Sequence, residues 1–338
     1  MTPSTVSAVD YHTGGEPFRI VVDVPEIVGT TVAARRITAI DDPAVDGLRR
    51  LLCFEPRGHA DMYGGFLVPP DDDGAHFGVL FWHKDGFSTA CGHGTIALGA
   101  WAVSTGRVPA DPSGVTDVVI DVPSGRVTAR VHSDAGRVSA VEFVNVPSYV
   151  LHRDVPVDTS RGPVEADVTY GGALYAQVDA RTLGLEVVPG DLDALIALGR
   201  EVKAALTGTR YAEHPSDRRL SGIYGTVFYT DDGFGDDGNP RQRNVTIFAD
   251  GQVDRSPCGS GTSARVATLA ARGALDADHE LIHRSIVDSV FRARIAEAGT
   301  TEGHPSVTPV VVGTAYQTGE HVFTVDPDDD LVPGFVLR

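Results

Sequence analysis

Two cysteines in this sequence begin segments that resemble each other. One segment runs Cys-Gly-His-Gly-Thr-Ile-Ala from Cys91, and the other runs Cys-Gly-Ser-Gly-Thr-Ser-Ala from Cys258. Aligned without gaps over 16 residues, the segments match at seven positions, including the final glycines, Gly106 and Gly273. The cysteines are 167 residues apart in a chain of 338, so the sequence indicates two related halves. Thiols in such a pair are suited to acid–base chemistry.

Each of these cysteines is predicted to lie at the N-terminus of a buried helix. Both segments have small residues at the start, an Ala-rich body and a closing glycine. Unpaired N–H groups and the helix dipole at such an end lower the pKa of a thiol and attract an anion. Glycines beside the cysteine let backbone N–H groups approach a carboxylate closely. The sequence therefore predicts two anion-binding helix ends, each carrying a thiol.

A thiol at equivalent positions of two related halves predicts a two-base reaction. If the two thiols face each other across a cleft, one removes a proton from a stereocentre and the other delivers a proton to the opposite face. One sulfur must then be a thiolate while the other is a thiol, and their titration belongs to the pair. The third cysteine, Cys53, follows two leucines and is interpreted as a core residue.

Other chemistries that use the same residue types fit less well. A metal site built from Cys91, His93 and Cys258 lacks a fourth ligand at a suitable spacing, so we expect no metal. A Cys–His hydrolase leaves the second cysteine segment unexplained. The acidic stretch 231–239 resembles a calcium loop, but its twelfth position is Gln242 rather than Glu. We interpret that stretch as the tip of a hairpin.

The elements around these segments predict an α/β (α+β) fold with two pseudo-symmetric halves, each a curved mixed sheet wrapped around a central helix. Helices are predicted at 43–53, 192–206 and 282–289, besides the two cysteine segments. Alternating or β-branched runs predict strands at 18–24, 118–122, 138–144, 226–229, 245–248, 307–312 and 322–325. Prolines and charges near 157–162 place the boundary there. The first half then comprises 1–158 with a C-terminal strand at about 326–338, and the second comprises 159–325.

Composition excludes several classes of protein. The chain has 28 Lys+Arg against 46 Asp+Glu, a net charge of −18 that repels nucleic acid and anionic membrane surfaces. We therefore expect no nucleic-acid or membrane partner, and no run approaches the ~20 apolar residues of a membrane span. Three cysteines argue against a disulfide framework, and residues 1–5 lack the features of an export signal. A cytoplasmic protein is expected.

Three segments resemble the proline racemase superfamily, which includes proline racemases, 4-hydroxyproline 2-epimerases and trans-3-hydroxy-L-proline dehydratases. They are Asp-Tyr-His-Thr-Gly-Gly-Glu-Pro at 10–17, the Cys91 segment, and Asp-Arg-Ser-Pro-Cys-Gly-Ser-Gly-Thr at 254–262. The resemblance extends over essentially the whole chain. It implies the fold of diaminopimelate epimerase and an enzyme that uses no cofactor. The partners it implies are a small imino acid, proline or a hydroxyproline, and a second copy in a homodimer.

The resemblance also implies roles for individual residues. Cys91 and Cys258 match the catalytic pair. The residues that match substrate-binding positions are Gly92, His93, Gly94, Asp254, Gly259, Ser260, Phe248 and Tyr63. Among these, the glycines, His93 and Ser260 are expected to hold the substrate carboxylate through backbone N–H groups. The His93 and Asp254 side chains would orient the amine and tune the thiols, while Phe248 and Tyr63 would be aromatic walls of the ring pocket.

Within the superfamily, Cys258 favours inversion of configuration. The dehydratases typically carry Thr at this position, and a thiol can protonate the second face of the substrate more readily than an alcohol. The expected activity is therefore epimerisation at Cα of proline or hydroxyproline, with 4-hydroxyproline preferred by analogy. Gly-Ser-Gly after Cys258 and Gly-Ala-Leu-Tyr at 172–175 are typical of the other branch. A trans-3-hydroxy-L-proline dehydratase is thus the alternative, and a non-catalytic imino-acid-binding protein is a distant one.

Overall fold

The computed structural model describes residues 5–337. The chain divides into two units, the first comprising Met1–Val141 and Thr314–Arg338 and the second Glu142–Gly313. Each is a mixed α+β unit dominated by strands, as the sequence predicts. Among the described residues, no helix is both long enough and apolar enough to cross a membrane.

The first unit is a curved sheet with a helix against its inner face. Strands pair in the order β18-β1-β2-β3-β4-β6-β7, antiparallel except for the parallel pairs β2–β3 and β4–β6. The central helix, α3, packs against β1, β2, β6, β7 and β18. The elements of this unit are β1 (Thr5–Thr13), β2 (Glu16–Val21), α1 (Val32–Asp41), α2 (Pro43–Cys53), β3 (Tyr63–Val68), β4 (Phe77–His83), β5 (Gly86–Phe87), α3 (Gly92–Ser104), β6 (Val115–Val122), β7 (Gly125–Asp134), the start of β8 (Arg137–Val144), and β18 (Ala315–Thr324).

Helix α3 is held by apolar contacts. Ile96 and Leu98 are fully buried, and each contributes about 1.5–3 kcal/mol through removal of its side chain from water. Near the C-terminal end, the Trp101 ring packs edge-on against Phe77 with centroids 6.2 Å apart. Gly106 follows the helix at φ 72°, a left-handed conformation that glycine adopts without strain. The predicted closing glycine therefore has the expected role.

The second unit encloses its helix in a closed ring of strands. Pairing runs β9-β10-β11-β12-β13-β15-β16-β17 and returns to β9, with parallel pairs at β11–β12 and β13–β15. Helix α5 packs against β9, β10, β11, β16 and β17. The elements are β9 (Ser148–Thr159), β10 (Gly162–Tyr170), β11 (Leu174–Asp179), α4 (Leu192–Leu206), β12 (Ile223–Phe234), β13 (Pro240–Phe248), β14 (Gln252–Asp254), α5 (Gly259–Ala271), β15 (Leu281–Ser285), β16 (Val290–Thr301) and β17 (His304–Gly313).

The surroundings of α5 are polar. Arg265, at the centre of the helix, is only 4% exposed, and its guanidinium lies 3.5 Å from the centroid of the Tyr229 ring. Its Nε donates to Gln242 Oε1 at 2.7 Å, and a terminal nitrogen donates to Gln177 Oε1 at 3.1 Å. Burial lowers the pKa of Arg265. Neutral amide oxygens and an aromatic face thus solvate a buried cation.

Two predicted elements are wrong. The predicted helix at 282–289 is strand β15 followed by a turn, because Leu281, His283 and Ser285 are buried in alternation, which is the period of a strand. The predicted C-terminal strand at 326–338 is not found in the described residues, which end at 337. The last strand, β18, ends at Thr324, and beyond it Phe335 forms one isolated bridge with Glu55. Aspartates and prolines in this tail favour turns over a strand.

The unit boundaries also differ from those predicted. The chain passes between units at 141/142 and 313/314, whereas the sequence placed the changes at 158/159 and 325/326. The prolines and charges near 157–162 belong to the hairpin that joins β9 to β10, where Thr159 pairs with Gly162. Turn-forming residues mark hairpins as well as boundaries between units, so composition did not distinguish the two.

Candidate active site

Cys91 is the N-cap of α3, in the first unit. Its backbone is extended, with φ −156°, and its sulfur accepts a hydrogen bond from the Gly94 N–H at 3.2 Å. The Thr95 hydroxyl donates to the Cys91 carbonyl at 2.8 Å and fixes the first turn. The sulfur therefore replaces the side-chain oxygen that usually caps a helix, and it lies where N–H groups favour negative charge.

His93 lies beside this thiol and belongs to a cluster of aromatic rings. The two ring nitrogens of His93 lie 3.5 and 3.6 Å from the Cys91 sulfur. The His93 ring packs edge-on against Tyr63 at 5.0 Å and against Phe18 at 5.8 Å between centroids. The Tyr63 hydroxyl is 2.5 Å from the Ser88 hydroxyl. The structure thus brings together His93, Tyr63 and Cys91, along with Phe18 and Ser88.

Cys258 is the N-cap of α5, in the second unit. Its sulfur accepts from the Gly261 N–H at 3.3 Å, which repeats the arrangement at Cys91. The backbone differs, because Cys258 has φ 61° and ψ 104°. A non-glycine residue in such a conformation costs about 1–3 kcal/mol. Strained residues of this kind cluster at functional sites.

Asp254 is linked to Cys258 through Ser256. The Cys258 N–H donates to the Ser256 hydroxyl at 3.1 Å, and that hydroxyl donates to the Asp254 carboxylate at 2.7 Å. The Ser256 N–H donates to the same carboxylate oxygen at 2.8 Å. Burial raises the pKa of Asp254 to about 6, against the lowering effect of these hydrogen bonds. At neutral pH the site therefore contains a buried carboxylate.

The pKa of Cys258 is raised, whereas its position at a helix N-terminus predicted a lowered pKa. Burial raises the pKa of this thiol, and the charge of Asp254 raises it further. The Gly261 N–H and the Thr246 hydroxyl act in the opposite direction but are weaker. The helix end therefore does not make Cys258 a thiolate, because desolvation and a neighbouring anion outweigh the dipole. Cys258 is suited to hold a proton.

Aromatic side chains continue from Cys258 toward Phe248. The Tyr175 hydroxyl lies 3.9 Å from the Cys258 sulfur and 2.7 Å from the Ser260 hydroxyl. Tyr175 packs edge-on against Tyr224 at 5.7 Å, and Tyr224 stacks on Phe248 at 5.6 Å. Phe248 is thus connected to Cys258 through two tyrosines. The sequence did not assign Tyr175 or Tyr224 to the site.

The third residue after each cysteine has no space for a side chain. A Cβ on Gly94 would lie 2.8 Å from the Cys91 sulfur and 2.4 Å from the Phe18 ring. A Cβ on Gly261 would lie 2.9 Å from the Cys258 sulfur. Gly92 and Gly259 begin the two helices and are buried, so the backbone at both helix starts is closely packed. The position of each sulfur therefore depends on a glycine, whose N–H donates a hydrogen bond to it.

Next to this site, a buried histidine makes stability depend on pH. His283 is fully buried and lies 2.8 Å from the Thr262 hydroxyl on α5. Burial, and to a smaller degree Arg265, lower the pKa of His283 to about 3. As the pH falls below the ordinary value near 6.5, the unfolded chain takes up a proton that the folded chain refuses, and stability is lost down to about pH 3.

We expect His283 to lower the free energy of unfolding by about 2 kcal/mol between pH 7 and pH 5. Urea unfolding at both pH values measures this loss. His214, whose pKa is also lowered by burial, acts in the same direction, and Asp254, whose pKa is raised to about 6, acts in the opposite direction, so the comparison is with His283→Gln. That variant should show a smaller loss than the parent; an equal loss contradicts the assignment to His283.

The predicted site residues form two groups, one in each unit. Cys91, Gly92, His93, Gly94 and Tyr63 make up the first, and Asp254, Cys258, Gly259, Ser260 and Phe248 the second. Among residues 5–337, no three His, Cys, Asp or Glu side chains are grouped as metal ligands. Each group provides a thiol, backbone N–H groups at a helix end, and a polar neighbour. Such groups are suited to proton transfer beside a carboxylate.

Known proteins are similar to this chain over nearly its whole length. The family model described as proline racemase matches residues 8–336. The chain is 42% identical to trans-3-hydroxy-L-proline dehydratase of Bacillus thuringiensis subsp. konkukian over 98% of both chains. It is 44% identical to 3-hydroxyproline 2-epimerase of Burkholderia multivorans, over 99% of this chain and 98% of that one.

Solved structures give the same result. The hydroxyproline epimerase from Agrobacterium vitis, with bound trans-4-OH-L-proline, is 31% identical and covers 99% of this chain and 96% of its own, with a TM-score of 0.90. Sequence and structure thus agree over nearly the whole length of the chain, which includes both cysteine helices. The chain belongs to the proline racemase family.

Proposed function

We propose that the protein epimerises a hydroxyproline at Cα, with Cys91 and Cys258 acting on one substrate as a thiolate and a thiol. The observation that carries the proposal is the repeated cap geometry. Each sulfur accepts a hydrogen bond from the N–H of the glycine three residues later. The distance is 3.2 Å for Gly94 and 3.3 Å for Gly261. Two such thiols, on equivalent helices, are suited to the two faces of a planar intermediate.

The two thiols have different resting states in this mechanism. Cys91, beside His93, starts as the thiolate, and Cys258 starts as the thiol because burial and Asp254 raise its pKa. The Cys91 thiolate takes the proton from Cα, and the electron pair of that C–H bond moves into the carboxylate. Helix N–H groups stabilise the added negative charge there. Cys258 then gives its proton to the opposite face of Cα.

The choice of substrate rests on the names of the relatives. The resemblance in sequence motifs alone favoured 4-hydroxyproline. The relatives that are 42% and 44% identical are named for 3-hydroxyproline, whereas the epimerase with bound trans-4-OH-L-proline is 31% identical. We therefore propose trans-3-hydroxy-L-proline as the first substrate, ahead of the 4-hydroxy isomer.

A dehydratase is the second candidate, favoured by the name of the relative from Bacillus thuringiensis. Cys91 removes the same Cα proton, and the electron pair forms a C2–C3 double bond as the C3–O bond breaks. The departing hydroxyl takes the proton of Cys258 and leaves as water. The enamine product then tautomerises to a pyrroline. The two candidates thus share the first step and differ in where the Cys258 proton goes and in whether the C3–O bond breaks.

One experiment separates these functions. Purified protein is incubated in D2O with trans-3-hydroxy-L-proline and, separately, with trans-4-hydroxy-L-proline, and proton NMR follows the Cα–H signal. We expect the 3-hydroxy isomer to lose its Cα–H signal while the signals of the 2-epimer appear, deuterated at Cα. Consumption of substrate with a pyrroline product and no epimer supports the dehydratase. Unchanged spectra for both substrates, together with binding detected by calorimetry, support a binding protein instead.

A further inference from the structure

Tyr175 is a buried side chain next to Cys258 that the mechanism above does not use. It is fully buried on β11, 83 residues before the cysteine. Its ring belongs to the same packed cluster as Cys258 and Ala264. Its hydroxyl lies 3.9 Å from the Cys258 sulfur and 2.7 Å from the Ser260 hydroxyl. The fold therefore places two linked hydroxyls beside one of the two thiols.

A pair of hydroxyls can serve both protonation states of a sulfur. When Cys258 is a thiol, its S–H donates to the Tyr175 oxygen, whose O–H donates to Ser260. When Cys258 is a thiolate, both hydroxyls rotate, so that Ser260 donates to Tyr175 and Tyr175 donates to the sulfur. Either atom of the Tyr175–Ser260 hydrogen bond can be its donor, so rotation of the two hydroxyls reverses the direction of that bond. The two hydroxyls can therefore hydrogen-bond with the sulfur in both of its protonation states.

We propose that Tyr175 is a positioning residue that, backed by Ser260, stabilises the thiolate form of Cys258. This inference rests on the proposed role of Cys258 as a group that gives up and regains a proton. After it protonates the substrate, Cys258 is a buried anion beside another buried anion, Asp254. A hydrogen bond to a charged acceptor is among the stronger ones that a protein makes. Tyr175 supplies that bond from the side of β11.

Other ionisable groups around the start of α5 act differently on Cys258. Asp254, on β14, raises the pKa of the thiol. Arg255 lowers the pKa of Asp254. Groups farther from the sulfur affect mainly the pKa values of one another. These groups are His283 on β15, Arg265 on α5, Tyr229 on β12 and Asp167 on β10. The Thr246 hydroxyl lowers the pKa of the thiol, and Tyr175 places a second uncharged hydroxyl beside the sulfur from β11.

The test measures thiolate formation at Cys258 without any substrate. In a Cys91→Ser background, methyl methanethiosulfonate reacts with the thiolate, forms a mixed disulfide and releases methanesulfinate. Peptide mapping by mass spectrometry assigns the product to Cys258 rather than to the buried Cys53. The rate is measured between about pH 6 and pH 10, with and without Tyr175→Phe. We expect Tyr175→Phe to slow the reaction about tenfold at each pH below the midpoint, equivalent to an upward shift of about one pH unit.

A matched control removes a buried tyrosine hydroxyl elsewhere in the same unit. Tyr149 is 1% exposed, and its hydroxyl bonds to His214 rather than to a cysteine. Tyr149→Phe should leave the rate at Cys258 unchanged. An unchanged or faster rate in Tyr175→Phe overturns the proposal, because a role in packing alone predicts equal or easier access to the sulfur.

Ser260→Ala gives a second, independent variant. It should slow the reaction less than Tyr175→Phe, and the double variant should react no more slowly than Tyr175→Phe alone, because Ser260 acts through Tyr175. Additive effects contradict the linked pair. Thermal unfolding of each variant confirms that it is folded. The assay contains no substrate, so it tests the role of Tyr175 even if the protein does not turn over hydroxyproline. Failure of this inference and failure of the proposed function can therefore be distinguished.

Discussion

Replacing either Cys91 or Cys258 by Ser is expected to lower the rate of inversion by at least about 10³-fold, because an alcohol is a far weaker acid than a thiol. The two variants should differ in a second measurement. In D2O, Cys258→Ser keeps the base that removes the Cα proton of the L substrate. It can therefore return deuterium to the same face, and NMR should show exchange without inversion.

The matched control for these variants is the third cysteine. Cys53 is fully buried on α2 in the first unit, and its thiol contacts the Met62 carbonyl at 3.5 Å. Cys53→Ala removes a thiol of the same kind outside the two groups, and we expect its rate of inversion to remain within about twofold of the parent. Full inversion in Cys91→Ser or in Cys258→Ser would rule out the two-thiol mechanism. A loss of the same size in Cys53→Ala would show that the assay reports on folding.

Gly94→Ala and Gly261→Ala are expected to reduce kcat/KM by about 100-fold each, because the new methyl group displaces the sulfur from its N–H donor. At Gly261 the Cβ would meet the Cys258 sulfur at 2.9 Å and the Cβ of Cys258 at 3.1 Å. At Gly94 it would also meet the buried Phe18 ring at 2.4 Å, so this variant should lose stability as well. Gly261→Ala is therefore the sharper test of sulfur placement.

Gly47 provides the control for a glycine inside a helix. It lies within α2, and a Cβ there would meet nothing within 4 Å. Gly47→Ala should raise the free energy of unfolding by about 0.5–1 kcal/mol, as expected for a helix interior, and leave kcat/KM unchanged. Wild-type kcat/KM in Gly261→Ala, with unchanged thermal stability, would contradict the capping role of the glycine N–H.

The cysteine helices were predictable from sequence because their signals are local. Small residues at the start and a glycine at the end bracket each helix, and α3 and α5 begin directly after Cys91 and Cys258. The strand at 281–285 was not recognised, because its alternating burial spans only five residues and a short apolar run can equally suggest a helix. Periodicity needs length to be decisive.

The second half of the site illustrates what the sequence does not contain. Tyr175 reaches Ser260 across 85 residues of chain, through pairings that no local pattern encodes. The pKa of Cys258 was wrongly expected to fall, since position at a helix end is visible in the sequence, whereas burial and the approach of Asp254 are not. The residue types of the site were predictable, but their electrostatics required the fold.

The different surroundings of α3 and α5 limit how far one cysteine helix can replace the other. A helix with the sequence of α5, placed in the first unit, would put the Arg265 cation at the aligned position of Leu98, which is fully buried. Without Gln177 and Gln242 to receive its N–H groups, that charge would be costly to bury. The two cysteine helices are therefore not interchangeable, although their sequences align, because a chimera with α5 in place of α3 would bury a cation without these partners.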